Sequence, residues 1–298
     1  MHVSECDDSV KSVVNNPKEL PLVHQWILSR TAATIKDVRS SLDEYRFNDV
    51  ASANYQFIWH EYCDWYLEWI KADLFSDNPV AKKQAQGCLL VVLETILKLI
   101  HPVTPFVSEE IWSVLPGERE LLVTSSFPEL QPTWKNEKVD AEMEVVMGII
   151  TGIRNIRSEA DIHPSTKIEA LIICSDVPQV EMLKSHGAAI SDMTRLSGFT
   201  VSCDAPKPDD AATYIYNDIE IFVPLKGLVD VQAELDKLTR EEKKIEGKYK
   251  QVSGKLSNEK FLSNAPDAVV EKVQQEKAAL DAKLAKIAEA KERLNKMA

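Results

Sequence analysis

The chain has 298 residues, 44% hydrophobic and 28% charged, a balance typical of globular proteins with two or three domains. Its formal net charge of −12 argues against a protein that binds nucleic acid indiscriminately. The charge is unevenly spread, because residues 1–227 carry 20 Lys/Arg and 34 Asp/Glu, whereas residues 228–298 carry 15 and 13.

The first part of the chain predicts a bundle of helices. Apolar residues recur at helical spacing in four segments, at about residues 19–46, 49–75, 80–100 and 109–115. Asn48 is expected to cap the second helix, and Ser108 the fourth. Proline-marked turns separate the later segments, so the joints are short and the helices are expected to pack against one another.

The middle of the chain changes period near residue 136 and predicts a small α/β module. The predicted elements are a helix, a strand, a second helix, a second strand and a hairpin across an Asn-Asp turn, at about residues 139–159, 167–176, 178–197, 199–204 and 213–225.

From Leu228 onward the sequence has heptad spacing in two segments. The first runs to Leu256 with Glu242 as its polar exception. The second runs from Val270 to Leu294, and its polar exceptions are Lys277 and Lys291. The intervening break contains Asn264 and Pro266 and is short, which favours an antiparallel hairpin over a continuous rod.

These patterns predict a mainly α protein in three parts. Residues 1–136 form a helical bundle, residues 137–227 a small α/β module, and residues 228–298 an antiparallel coiled-coil hairpin.

The sequence lacks the motifs of an independent enzyme. It has no glycine-rich nucleotide loop, no H-E-x-x-H and no G-x-S-x-G, and the histidines are isolated. We therefore expect no catalytic residue, no metal site and no cofactor in this chain. The scattered cysteines and the lack of a signal peptide or membrane span predict a reduced, cytoplasmic protein that does not bind membranes.

One candidate RNA-binding feature is the aromatic stretch "FIWHEYCDWYLEWIK", residues 57–71. Its aromatic rings could stack on bases beside Lys71. Helical spacing favours core packing for most of the rings, so Trp59 and Lys71 are the candidate contacts in this stretch.

A second candidate is the stretch "GIRNIRSEADIHPSTK", which contains Arg154, Arg157 and Lys167. Arginines one helical turn apart suit phosphate oxygens. The nearby Glu159 and Asp161 could instead neutralise them as ion pairs, and the sequence does not decide between the two interpretations.

The third candidate is a basic flank along the heptad hairpin. Its members are Lys237, Lys244, Lys248, Lys255, Lys272, Lys283, Lys286 and Arg293. Such a row could follow a phosphate backbone. It could equally be an ordinary solvated coiled-coil flank, since Glu234, Glu241 and Glu276 lie on the same side.

These motifs resemble a known family. "YRFNDVASANYQFIWHEYCDWYLEWIK" and "ILKLIHPVTPFVSEEIWSVLP" resemble the anticodon-binding domain shared by valyl, isoleucyl and leucyl-tRNA synthetases. "LSNEKFLSNAPDAVVEKV" within two heptad helices resembles the C-terminal tRNA-binding arm of the valyl enzymes. The chain is therefore similar to the C-terminal part of a class I valyl-tRNA synthetase.

The resemblance implies that the chain binds valine tRNA as a monomer, for a ligation that requires ATP in the whole enzyme. The catalytic and editing domains and the bundle's first helix are expected to be missing, so the bundle would expose an apolar groove and the chain alone would be inactive. A different hypothesis is a coiled-coil scaffold that pairs with a partner helix and does not bind RNA, which the acidic charge favours.

Overall fold

A computed structural model describes residues 8–208, 210–225, 231–257 and 267–297 of the chain. The described residues are mostly helical, with one four-stranded sheet and two long C-terminal helices, which confirms the predicted fold class. The chain forms two compact units: residues 1–150 with 185–193, and residues 151–184 with 194–298. The three-domain division with boundaries at residues 136 and 227 stays a prediction.

Amphipathic helices build the bundle of the first unit. They are α1 (Leu22–Asp43), α2 (Phe47–Tyr55), a π-helix (Gln56–Tyr66), α3 (Leu67–Trp69), α4 (Lys71–Leu74), α5 (Pro79–Ile100) and α6 (Pro105–Ser113). Short 3₁₀ helices at Asp8–Asn15, Pro17–Glu19 and Leu122–Thr124 were not predicted, because segments of this length carry little periodic signal.

Two predicted helix caps are wrong. The second helix begins at Phe47, so Asn48 lies within its first turn and donates to the Asp49 carboxylate. The fourth helix begins at Pro105, one turn before the predicted start, and Ser108 is a buried residue inside it. In both cases a cap-forming residue stands inside the helix and bonds a nearby group, which sequence alone does not distinguish from a cap.

The core of the first unit joins helices that are distant in sequence. Ile27 and Leu28 of α1, Phe57 of the π-helix and Leu90 of α5 are at most 2% exposed and belong to one hydrophobic cluster. Gly87 lets the Asp8–Asn15 segment lie close against α5, since a Cβ there would stand 2.2 Å from the Val10 carbonyl oxygen. A side chain is therefore excluded at this position.

A long helix, α7 (Glu137–Glu159), leads into the sheet. The strands are β1 (Ile168–Ile173), β2 (Leu196–Ser202), β3 (Ala211–Tyr216) and β4 (Ile219–Pro224), in the order β2-β1-β4-β3. Between β1 and β2, the single predicted helix is two, α8 (Val177–Ser185) and α9 (Gly187–Thr194), with a turn at His186 between them.

The sheet is mixed: β1 is parallel to β2 and antiparallel to β4. The predicted hairpin is present between β3 and β4, with Asn217 in the left-handed region at φ 53°. In the same unit, Gly152 of α7 packs against this hairpin, because a Cβ there would lie 2.6 Å from side-chain atoms of Tyr214 and Ile221.

The arm consists of α10 (Val231–Leu256) and α11 (Asp267–Met297), packed together as an antiparallel pair. The seam buries Val252, Leu280 and Ile287. The predicted tip around Asn264 and Pro266, and Leu228 at the predicted start, lie outside the described residues.

The polar exceptions to the heptad pattern contact residues on the opposite helix. Lys291 donates to the Glu242 carboxylate at 2.5 Å, and the Lys277 ammonium lies 5.6 Å from the centre of the Tyr249 ring. Glu242 precedes Tyr249 whereas Lys291 follows Lys277, so the two contacts require antiparallel helices.

Candidate nucleic-acid interface

The aromatic stretch of the bundle divides between core and surface. Tyr62 and Tyr66 are buried, and the Tyr66 hydroxyl lies 3.0 Å from Nδ1 of the buried His24. Burial lowers the pKa of His24 to about 4, so the ring is neutral at pH 7. Trp65 and Trp69 are partly buried against the same core. These rings have a packing role, as the helical spacing predicted.

Trp59 is the ring of this stretch that reaches solvent, with 53% of its surface exposed. Tyr55, one helical turn earlier, is 57% exposed, and the two ring centroids are 6.3 Å apart. Tyr55 is a further candidate contact beyond those predicted from the sequence, and its spacing of four residues from Trp59 is the signal that points to it. The pair forms an exposed aromatic surface on the bundle.

Lys71 lies on α4 and pairs with Glu68, three residues earlier. Both side chains are more than half exposed, so solvent screens the pair and its strength is small. The ammonium can therefore exchange this carboxylate for a phosphate at little energetic cost.

The sequence left Arg157 either a phosphate contact or an ion pair with Glu159 or Asp161, and the structure gives it a third role within the fold. Its side chain is buried, and the guanidinium donates to the carbonyl oxygens of Thr166 at 2.7 Å, Arg195 at 3.1 Å and His163 at 3.4 Å. It thus ties the end of α7 to the residues before β1 and β2. Spacing alone did not reveal this, because the carbonyls come from segments up to 38 residues away.

Arg154 and Lys167 lie in the same unit as Arg157 and are exposed. Arg154 and Arg157 are one turn apart on α7, but Arg154 is exposed to solvent whereas Arg157 is buried. Burial and the nearby positive charge of Arg195 lower the pKa of Arg157, which fits a role within the fold.

The arm carries an exposed row of lysines. Lys244, Lys248 and Lys255 on α10 are exposed, and their spacing of four and seven residues places them along one side of the helix. On α11, Lys272 and Lys283 are exposed, with the exposed Glu276 between them. The side chains of Lys237, Lys286 and Arg293 lie outside the described residues.

Glu109 and His101 make contacts within the bundle. Glu109 accepts hydrogen bonds from the backbone N–H groups of Leu122 and Val123, at 2.7 and 3.3 Å. His101 Nδ1 lies 2.8 Å from the Ser108 hydroxyl. Within the described part of the chain, no group of three His, Cys, Asp or Glu side chains could hold a metal ion. None of its helices is long and apolar enough to cross a membrane.

Two family models match the chain. Residues 24–172 match the anticodon-binding domain of tRNA ligase, and residues 230–298 match the valyl tRNA synthetase tRNA binding arm. The chain belongs to the valyl-tRNA synthetase family. It contains the anticodon-binding domain and the tRNA-binding arm that the sequence motifs predicted.

Curated members of the family align over nearly the whole chain. The valine–tRNA ligase of Desulfotalea psychrophila is 65% identical over 100% of this chain and 34% of that protein. The valine–tRNA ligases of Syntrophotalea carbinolica and Geobacter sulfurreducens are each 37% identical, over 93% and 94% of this chain and 31% and 32% of their own lengths. The chain thus spans about a third of the valyl-tRNA synthetases that it matches.

Proposed function

We propose that the chain binds valine tRNA for ATP-dependent ligation of valine, carried out by a catalytic domain outside its 298 residues. The match of residues 230–298 to the valyl tRNA binding arm is the observation that carries this proposal. The bundle engages the anticodon stem-loop, the α/β module orients the arm, and the arm lies along the outer corner of the tRNA. The chain acts as a monomer and performs no chemistry itself, so the purified chain should form no valyl-adenylate.

The lysine row of the arm supplies the phosphate contacts in this proposal. Lys244, Lys248 and Lys255 project from one side of a rigid helix pair, and a helix of 26 residues extends about 39 Å at about 1.5 Å per residue. Contacts of this kind release counterions from the tRNA, so affinity depends steeply on salt. Lys272 and Lys283 extend the basic surface on α11, and Lys237, Lys286 and Arg293 are proposed as further members.

On the bundle, the Trp59 ring offers a surface on which an unstacked base can lie, and Lys71 offers a cation. Stacking of a base on an exposed aromatic ring contributes about 1–3 kcal/mol. Arg154 and Lys167 are proposed as phosphate contacts of the second unit. Arg157 is assigned a positioning role, because its donors are already directed to three carbonyl oxygens.

A gel shift with transcripts of valine tRNA and of a second tRNA, measured between 50 and 300 mM salt, tests the proposal. We expect tighter binding of valine tRNA and a linear fall of log affinity with log salt concentration. Replacing Lys244, Lys248 and Lys255 together by Ala should reduce the salt slope by about three. The matched control is Lys243→Ala with Lys250→Ala, two exposed lysines on a different side of the same helix that should leave the slope nearly unchanged.

The α11 row allows a change in the opposite direction. Glu276→Lys fills the gap between Lys272 and Lys283, so it should strengthen tRNA binding and steepen the salt slope by about one. In the bundle, Trp59→Ala should weaken binding by about 1–3 kcal/mol. The similarly exposed Leu130, changed to Ala, is its control. The proposal would be contradicted if the chain and all variants bound every tRNA equally weakly and if their affinities did not depend on salt.

The scaffold hypothesis has less support from the arm. A helix that pairs with a partner needs an available apolar seam. In the described part of the arm, Val252, Leu280 and Ile287 bury the seam between α10 and α11, and Glu242 pairs with Lys291 across it. If the gel shift showed no binding of any tRNA, the scaffold hypothesis would be favoured again.

A further inference from the structure

Two cysteines lie next to each other at one end of the sheet, within the second unit. Cys174 directly follows β1 and Cys203 directly follows β2, and these parallel strands pair with Ile173 opposite Ser202. The Cys174 backbone N–H donates to the Ser202 carbonyl oxygen at 3.2 Å, which continues the ladder by one step. In a parallel ladder, this hydrogen bond places Cys174 opposite Cys203. The register therefore brings together two cysteines that are far apart in the sequence.

The spacing of the strands suits a covalent bond between these two cysteines. Neighbouring strands of a sheet lie about 4.8 Å apart. This spacing falls within the range of about 4.4–6.8 Å between the Cα atoms of disulfide-bonded cysteines. Ile172 and Val201, two residues earlier on each strand, are paired and both buried. Because side chains alternate along a strand, the cysteines follow on that same face of the sheet.

The two thiols differ in accessibility, which sets the order in which they react. Cys203 is exposed at the end of the edge strand β2, whereas Cys174 is 1% exposed at the end of the central strand β1. Burial raises the pKa of the Cys174 thiol, and the nearby Cys203 thiol raises it further. Asp218 and Asp176 act in the same direction. Cys174 therefore stays protonated and shielded, and Cys203 is the thiol that a dissolved reagent reaches.

We propose that Cys174 and Cys203 are a redox modification site, at which a small disulfide such as oxidised glutathione converts the two thiols into an intramolecular disulfide. The Cys203 thiolate attacks one sulfur of the small disulfide, whose S–S bond breaks, so that one small thiol leaves and a mixed disulfide forms. The Cys174 sulfur then attacks the Cys203 sulfur, loses its proton to solvent and releases the second small thiol. The protein loses two hydrogen atoms, and the small disulfide is reduced to two thiols.

The position of Cys174 favours the second step and gives the bond a structural effect. Because the attacking thiol is already beside the mixed disulfide, this step is intramolecular and competes well with the return of the small thiol. The new bond closes a loop of residues 174–203, which contains α8 and α9. Loop closure restricts the unfolded chain, so the oxidised sheet should open less often than the reduced one. The inference does not rest on tRNA binding.

The experiment treats the purified chain with oxidised glutathione, alkylates the remaining thiols and maps the cysteines by mass spectrometry of tryptic peptides. Oxidation should join the peptides that contain Cys174 and Cys203 within one chain, and a dithiol reductant should separate them. Hydrogen–deuterium exchange in β1 and β2 should slow after oxidation. Cys203→Ser changes an exposed position and should abolish the bond. Cys63→Ser, which removes a cysteine of the π-helix, is the matched control and should leave the bond intact.

A second variant, Cys174→Ala, separates the two steps of the reaction. Cys203 can still be attacked in this variant but no thiol resolves the adduct, so one glutathione should stay on Cys203, whereas the unmodified chain should retain none there. Circular dichroism checks that the buried substitution leaves the fold intact.

Three results would overturn the proposal. Glutathione that stays on Cys203 of the unmodified chain would show that Cys174 cannot reach it. A disulfide between the Cys203 residues of two chains would assign the exposed thiol to intermolecular chemistry. Recovery of both cysteines as free thiols after treatment would show that the pair does not exchange with small disulfides.

Discussion

The bundle and the arm are both made of amphipathic helices, but different contacts define their structures. In the bundle, buried polar groups join positions far apart in sequence: the Ser29 hydroxyl accepts from the Asn136 backbone N–H at 2.9 Å, and His24 meets Tyr66. In the arm, one repeated apolar pattern with a few polar exceptions aligns two helices. The bundle thus depends on many specific long-range contacts, and the arm on a local repeat.

The tryptophans allow the two regions to be followed separately. All six lie between residues 26 and 134, within the bundle. Tryptophan fluorescence therefore follows unfolding of the bundle, whereas hydrogen–deuterium exchange of α10 and α11 peptides follows the arm.

Truncating the core should show the largest difference between the regions. Ile27 is 0% exposed in the bundle, and Ile27→Ala should lower the free energy of unfolding by about 2–5 kcal/mol. Ile287 is 7% exposed in a two-helix seam, so Ile287→Ala should cost about 2 kcal/mol or less. Urea unfolding by fluorescence measures the first, and exchange rates in α10 and α11 measure the second. Similar losses in both regions would remove the distinction.

Lowering the pH should weaken the bundle and leave the arm folded. The pKa of His24 is lowered from 6.5 to about 4 by burial, so the unfolded chain binds a proton that the folded chain excludes. Stability from this group is present above about pH 6.5 and is lost as pH falls to about 4, by up to about 3 kcal/mol. Urea unfolding at pH 7.5 and 4.5 measures it. In His24→Gln the difference between the two pH values should shrink, and an unchanged difference would disprove the assignment.

Adding one methyl group should have opposite effects in the two regions. Gly87→Ala places a Cβ 2.2 Å from the Val10 carbonyl oxygen and should destabilise the bundle by about 1–3 kcal/mol. Gly247 of α10 has open space around its Cβ position, so Gly247→Ala should stabilise the arm by about 0.5–1 kcal/mol through better helix propensity. The same two readouts apply. Destabilisation of the arm by Gly247→Ala would show that its helix is not limited by propensity.

The polar pair in the arm should have the smallest effect on stability and a clear effect on alignment. Glu242→Leu with Lys291→Leu replaces a partly buried ion pair by apolar side chains, which should change stability by about 1 kcal/mol or less in favour of the folded arm. Cysteine crosslinking between α10 and α11 should then show more than one register, where the unmodified arm shows one. A single register in the double variant would mean that the apolar seam alone aligns the helices.

The sequence predicted the regions that depend on repetition and missed those that depend on non-local contacts. The heptad pattern gave both arm helices, and the Asn217-Asp218 dipeptide gave the β3-β4 hairpin, because these signals lie within a few residues. The carbonyl partners of Arg157 and the His24–Tyr66 contact join distant segments, so no local pattern encodes them. Asn48 and Ser108 were misassigned as caps because the same side chains also bond within a helix.

The return path of the arm has a practical consequence for labelling. Because α11 runs antiparallel to α10, Met297 lies at the same end of the arm as Val231, whereas Leu256 and Asp267 lie at the far end. A fluorophore or tag attached at residue 297 would therefore report on the base of the arm. One attached at residue 256 would report on the far end, so the two positions would distinguish RNA contact at the base of the arm from RNA contact at its far end.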